Sequence, residues 1–170
     1  MAVSRKKNTI EKNPVGIPDA AVKKLLPELD AHLASLFILF HQYQKHHWLV
    51  EGPQFRDLHL FLGNNYTEVH KDVDAVAERI TALGGIPTSD PVEQAKIAYI
   101  QHEKEGYHGV RPSLEKDRAE EGKIAVALRR TIKLAFDLGD YGTRGLLEKV
   151  LLQAEDRAHH LDHFLQEDSL

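Results

Sequence analysis

Apolar residues recur every three or four positions through most of the chain, which is the period of an α-helix. The first such segment runs from about Asp19, a candidate N-cap, to about Val50, with apolar positions at Leu25, Leu29, Leu33, Leu36, Phe37, Phe40 and Tyr43. The second runs from about Pro53 to Leu83, where the pair Gly84-Gly85 predicts its end. Both predicted helices have the length that is typical of a helical bundle.

Residues 86–112 form a connector that is too long for an ordinary turn of a bundle. Within it, Asp90-Pro91-Val92-Glu93 resembles the cap and first turn of a short helix that extends to about Ile100. Two further periodic segments follow, from about Ser113 to Leu138 and from about Tyr141 to Gln166. No alternating strand pattern is present. We therefore predict an all-α fold over residues 19–170: a ferritin-like four-helix bundle with a short extra helix in the long connector between helices 2 and 3.

Residues 1–18 lack an apolar period and contain four basic residues, Arg5, Lys6, Lys7 and Lys12, together with Pro14, Gly16 and Pro18. This composition predicts a flexible basic N-terminal arm. The arm is either a solvated tail or a cationic tether for DNA phosphates, and the second role would require many copies acting together.

The composition limits the functional classes. A chain of 170 residues with 42% hydrophobic content can bury one core, and a net charge of -4 argues against a body that binds nucleic acid through overall positive charge. The absence of cysteine fits a reducing cytoplasm, and no apolar run predicts a membrane span or a secretory signal. Eleven histidines beside 26 acidic residues raise the question of a metal.

The histidines and carboxylates have a spacing that suits a metal site shared between two chains. His47 and His59 flank the Gly52-Pro53 break, so their imidazoles can meet across the turn between two helices. Asp74 and Glu78 lie one turn apart, but Asp74 is about 22 Å beyond His59 along the second helix. A two-fold dimer with antiparallel second helices would join the histidine end of one copy to the carboxylate end of the other, twice.

The same residues carry a resemblance to a known family. The segment from His47-Trp48 through Gly52-Pro53, Phe55 and Leu58-His59, with Asp74, Ala77-Glu78-Arg79-Ile80 and Leu83-Gly84-Gly85, resembles the signature of the Dps mini-ferritins, the DNA-binding proteins from starved cells. The resemblance implies a hollow dodecamer, built from two-fold dimers, whose interfaces hold di-iron ferroxidase sites. These sites would oxidise Fe(II), preferably with hydrogen peroxide, store the ferric product and so limit oxidative damage.

By this resemblance, His47 and His59 are the histidine ligands, and Asp74 and Glu78 are the acidic pair from the other subunit. The departure is Gly63, since the family usually has an aspartate four residues after the second histidine. We expect histidine to compensate, with His70 and His163 as the candidate ligands. A centre richer in imidazole would shift preference towards zinc, so zinc is the alternative occupant.

Three further expectations concern residues outside this centre. The turn between the last two helices would line a three-fold pore that draws Fe(II) inward, with Asp137, Asp140 and Glu148 as the candidates, although an ordinary capped turn fits equally well. His46 is expected to be exposed, and Trp48 is expected to pack at the dimer interface.

Two other functions remain open at this stage. Besides an iron oxidase, the protein could be a cage that shields DNA by coating it through the basic arm. It could also be a zinc-occupied mini-ferritin with low ferroxidase activity. Salt-sensitive DNA retardation and peroxide-driven iron oxidation would discriminate among them.

Overall fold

The computed structural model describes residues 4–7 and 9–167 and contains five α-helices in that part of the chain. They are α1 (Asp19–Leu49), α2 (Phe55–Ala82), α3 (Pro91–Ile97), α4 (Val110–Asp137) and α5 (Tyr141–Phe164). Helices α1 and α2 pack as one pair, α4 and α5 pack as a second pair, and α1 also packs against α4 and α3. This confirms the predicted all-α bundle with a short helix in the connector.

The ends of the helices follow local chemistry, with small departures from the prediction. Asp19 is the first helical residue rather than the N-cap, because Pro18 precedes the helix in an extended conformation. Helix α3 ends at Ile97, since Ala98 is extended, and α4 begins three residues before Ser113. Pro112 lies in the first turn of α4, where a helix tolerates a residue without an N–H group.

The core is formed by one continuous cluster of aliphatic residues with the hydroxyl-bearing Tyr43. Every α1 position predicted from Leu25 to Leu36 by leucine spacing is buried, whereas Phe37 and Phe40 are half-buried at its edge. None of the helices within the described ranges is sufficiently long and apolar to cross a membrane.

The described part of the N-terminal arm contacts the bundle. The backbone N–H of Glu11 donates to the carbonyl of Gly84 at 2.9 Å, and a Cβ atom at Gly84, whose φ is +84°, would lie 2.1 Å from the Glu11 carbonyl oxygen. Glycine is therefore required at this point of close approach. Lys7 Nζ donates to Asp30 Oδ2 at 2.8 Å. The mobility of the arm in solution stays a prediction.

Candidate metal centre

The turn between α1 and α2 brings the two predicted histidine ligands together. The rings of His47 and His59 are stacked, with centroids 3.7 Å apart and planes inclined by 23°. His47 Nδ1 lies 2.8 Å from the carbonyl oxygen of His59, and His59 Nδ1 lies 2.9 Å from the carbonyl oxygen of His47. A carbonyl only accepts, so both Nδ1 atoms are protonated donors, and in the neutral form of each ring the lone pair is then on Nε2.

This reciprocal pairing is the arrangement that prepares an imidazole for a metal. In metal sites, the second ring nitrogen usually donates to a carbonyl or carboxylate, which fixes the tautomer and the orientation of the ring. Here the backbone carbonyl of each histidine accepts the hydrogen bond from the ring of the other histidine. The two Nε2 atoms therefore suit a divalent cation as neutral nitrogen ligands.

Gly63 gives the His47 ring its room. It lies in the interior of α2, one turn after His59, and a Cβ atom added there would be 3.2 Å from both Cε1 and Nδ1 of His47. That distance is shorter than ordinary van der Waals contact. The ring of His47 therefore occupies space beside the helix that any side chain at this position would contest.

Asp74 and Glu78 are exposed and lie one turn apart on α2. Because α2 is one unbroken helix from Phe55 to Ala82, they lie about 22 Å or more from His59 along its axis. Within residues 4–7 and 9–167, no three histidine or acidic side chains of this one chain are grouped to hold a metal ion. A centre that uses both the histidines and the carboxylates therefore requires two chains.

An aromatic row connects the histidine pair with His70. The His47 ring lies 5.2 Å from Tyr66, Tyr66 lies 5.9 Å from Phe40, and Phe40 lies 5.2 Å from His70. His70 is exposed and precedes Asp74 by one turn of α2. It thus lies on the side of α2 that faces α1, between the two ends of the predicted ligand strip.

Several large apolar side chains near the α1–α2 turn are exposed. Trp48 has 67% of its surface exposed, and Leu49, Phe55 and Leu60 are also exposed around the same turn. Exposed aromatic and leucine side chains that flank this turn fit a contact with a second chain.

The remaining histidine candidate, His163, lies on α5. Its Nε2 atom is 3.2 Å from Nε2 of His159, and the neighbouring His160 ring makes an edge contact with Phe61. The structure thus pairs His163 with a histidine of its own helix.

The three pore candidates differ in their surroundings. Asp137 is exposed and paired with Lys133 at 2.7 Å, and Glu148 is exposed and paired with Arg144 at 2.7 Å. Asp140 is fully buried: its side chain caps α5 by accepting from the Thr143 N–H and pairs with Arg79 at 2.6 Å. The expectation that Asp140 lines a pore is corrected here, because its carboxylate is committed inside the subunit.

The basic arm shows a similar division. Arg5 is paired with Glu11 at 2.6 Å and Lys7 with Asp30 at 2.8 Å, whereas Lys6 and Lys12 are exposed. Two of the four arm cations are therefore partly neutralised by the protein itself.

A buried polar network fills the middle of the bundle, and the apolar periodicity did not reveal it. Arg157 pairs with Glu121 at 2.5 Å and Glu68 at 2.6 Å, and Tyr43 donates to Glu121 at 2.8 Å. Burial raises the pKa of Glu121 despite the neighbouring guanidinium, and it raises the pKa of Asp72, 3.5 Å from Arg157, to about 7. The signal in the sequence was a set of charged residues at positions where the helices should be apolar.

His46 belongs to a second buried set, which corrects the expectation that it is exposed. Only 4% of its surface is accessible, with Nδ1 2.7 Å from Asp117 and Nε2 3.0 Å from Glu103. Burial disfavours the imidazolium, but the hydrogen bond and charge of Asp117, aided by Glu103, outweigh it and raise the pKa of His46. His46 therefore ties α1 to α4 and to the connector.

The fold and the paired histidines define a ferritin-like four-helix-bundle protein. Residues 27–170 match the family model of the ferritin-like domain. The chain is 44% identical over 142 residues to the DNA protection during starvation protein of Halobacterium salinarum, covering 84% of this chain and 78% of that protein. It is 41% identical over 158 residues to the nutrient stress-induced DNA-binding protein of a Nostoc species, covering 93% and 86%.

A solved structure agrees over the whole length. The archaeal Dps homologue from Halobacterium salinarum superimposes with a TM-score of 0.95 at 37% identity, covering 100% of this chain and 95% of the other. The chain belongs to the Dps family of mini-ferritins.

Proposed function

We propose that this protein oxidises Fe(II), preferably with hydrogen peroxide, at sites shared between two subunits and stores the ferric product in a hollow dodecamer. The observation that carries the proposal is the His47–His59 pair, whose protonated Nδ1 atoms are held by carbonyls and whose Nε2 atoms are left basic. Membership of the Dps family supports iron as the metal. The length of α2 between His59 and Asp74 supports a second subunit as the source of the carboxylates.

The two-subunit arrangement is supported by lengths and surfaces. Antiparallel α2 helices related by a two-fold axis would bring Asp74 and Glu78 of one copy to the histidine pair of the other, with two equivalent centres per dimer. The exposed group Trp48, Leu49, Phe55 and Leu60 would be covered by that contact. Repetition of such dimers would give the closed cage.

The reaction balances with peroxide as the oxidant. Each of two Fe(II) ions gives one electron to hydrogen peroxide, the O–O bond breaks, and two protons complete two water molecules. The imidazoles supply neutral ligands for Fe(II), while Asp74 and Glu78 supply the negative charge that favours the Fe(III) product. Both electrons go to one peroxide molecule, so no hydroxyl radical is released.

Gly63 gives this centre a particular character. It offers no carboxylate beside the histidines, so the histidine half of the site supplies nitrogen ligands only, and His70 would add a further imidazole nitrogen from the acidic half. Nitrogen-rich sites favour borderline cations, and we therefore expect Zn(II) to compete with Fe(II) for this centre.

A mixed-subunit experiment tests the shared site. One variant carries His47→Ala with His59→Ala, the other carries Asp74→Asn with Glu78→Gln, and each alone should fail to oxidise Fe(II) with peroxide under anaerobic mixing. In cages reassembled from equal amounts, half of the dimers are mixed and each mixed dimer has one intact centre, so activity should return to roughly a quarter of the wild-type value. A mixture that stays inactive would contradict a shared centre. Glu115→Gln, an exposed carboxylate on α4, is the matched control.

DNA binding through the arm is the second candidate, favoured by the exposed Lys6 and Lys12 and by the DNA-binding relatives. Replacing both lysines with glutamate should abolish salt-sensitive DNA retardation by the assembled cage. Lys7→Met is the comparison, since Lys7 is already paired with Asp30 and should contribute less. No retardation by the wild-type cage at low salt would dismiss this function.

A further inference from the structure

The histidines of α5 form a second pair of potential metal ligands, separate from the stacked pair at the α1–α2 turn. His159 and His163 are four residues apart, both exposed, and their side chains meet on the outside of the helix. Their rings are nearly perpendicular, inclined by 85°, with centroids 4.4 Å apart, and the two Nε2 atoms lie 3.2 Å from each other.

That separation matches chelation of one cation. With Zn–N bonds of about 2.0–2.1 Å and a tetrahedral angle, two imidazole nitrogens on one ion lie about 3.3 Å apart. The two Nε2 atoms are therefore already at the distance that a shared ion would impose, so binding would cost little rearrangement.

The neighbouring carboxylates determine which cations suit the pair. Asp162 is paired with Arg118 at 2.5 Å and also accepts from the Gln166 amide, while Glu155 is paired with Arg129 at 2.5 Å. Among the described residues, no third acidic or histidine ligand joins His159 and His163 in a three-ligand group. The two imidazole nitrogens are the donors that the structure brings together here, and imidazole selects borderline divalent ions over hard ones.

We propose that His159 and His163 form a surface chelate for a borderline divalent cation, Zn(II), Cu(II) or Ni(II), one per subunit and independent of the iron centre. This assignment gives His163 a partner on its own helix rather than a place in the intersubunit centre. The site would let each subunit of the cage capture such ions without occupying the centre at His47 and His59.

Calorimetric titration of the assembled protein with Zn(II) tests the proposal, with His159→Ala, His163→Ala and His160→Ala compared with wild type. His160 is the matched control because it is adjacent and exposed but contacts Phe61. Removing either His159 or His163 should eliminate one Zn(II) per chain or weaken that step by roughly tenfold or more, since one ligand replaces a chelate. His160→Ala should retain the step.

Two further measurements fix the interpretation. Electron paramagnetic resonance of bound Cu(II) should show a signal from two nitrogen ligands that both single variants lose. Peroxide-driven iron oxidation should be unchanged in all three variants, so failure of the chelate and failure of the iron centre are distinguishable. Equal Zn(II) stoichiometry in all proteins would overturn the proposal, as would loss of iron oxidation in His163→Ala alone.

Discussion

Replacing Gly63 with alanine should separate the stability of the protein from the geometry of its candidate metal centre. Alanine in a helix interior is more favourable than glycine by about 0.8–1.0 kcal/mol. At position 63, however, the new Cβ atom would lie 3.2 Å from two atoms of the His47 ring. The ring must then shift by a few tenths of an ångström, at the expense of the stacking on His59 or of the 2.8 Å hydrogen bond from Nδ1.

Gly122 provides the matched control for the same substitution. It lies in the interior of α4, it is exposed, and a Cβ atom there would have no neighbour within 4 Å. Gly122→Ala should therefore gain the full helix term of about 1 kcal/mol in the free energy of unfolding and leave iron oxidation unchanged. Gly63→Ala should gain less than this, or lose stability, and should bind Zn(II) and oxidise Fe(II) less well.

Urea unfolding followed by circular dichroism measures the free energy of unfolding of each variant. The protein concentration is held fixed, because any assembly of subunits contributes to apparent stability. Zinc titration and peroxide-driven iron oxidation measure the effect of each variant on the metal centre. If Gly63→Ala stabilised the protein as much as Gly122→Ala and kept full activity, the conclusion that glycine is needed to seat His47 would be wrong.

Three further outcomes follow from buried groups. Arg157→Met leaves Glu121 buried without its guanidinium partner and should lower the free energy of unfolding in urea by about 3–5 kcal/mol. Arg144→Met, which removes an ion pair at the surface, should lower it by only about 0–1 kcal/mol. Equal costs would refute the buried network as a structural requirement. Burial, with the charge of Arg130, lowers the pKa of His32 to about 4, so the unfolded chain takes up the proton first as pH falls. The stability that His32 contributes is complete above pH 6.5 and is lost between pH 6.5 and 4, by about 3 kcal/mol, and His32→Gln should remove that slope from unfolding curves measured across this range. Asp140→Asn should lower the thermal midpoint by several degrees, since it disturbs both a helix cap and a buried ion pair, whereas the exposed Asp137→Asn should change it little.

The helices were predictable because their burial is periodic. Leu25, Leu29 and Leu33 recur along one side of α1 and are buried. The same apolar period in the other long helices predicts that they pack together as a bundle. The ends were less certain, as the early start of α4 shows, because Gly109 and Pro112 are compatible with a loop or with a first helical turn.

The candidate site was predictable only as a list of ligands. The spacing of His47 and His59 around Gly52-Pro53 predicted that the rings would meet, and α2 confirms the helix that separates them from Asp74. The reciprocal hydrogen bonds between ring and backbone were not predictable, since they depend on the exact path of the turn. The aspartate absent at Gly63 was visible in the sequence, but the imidazole that lies against the glycine was not.

The buried charges also bear on where a metal ion can bind. Glu121 and Asp72 are both buried in the bundle interior, where two acidic groups need a neighbouring positive charge. Arg157 on α5 provides that charge, because it pairs with both of them. A guanidinium held by three carboxylates cannot be displaced by a metal ion without leaving the arginine itself buried and unpaired, which is far costlier than leaving the site as it is. Among the residues that the structure describes, the interior thus holds no group of three metal ligands, whereas the His47–His59 pair lies at the α1–α2 turn and the His159–His163 pair lies on α5.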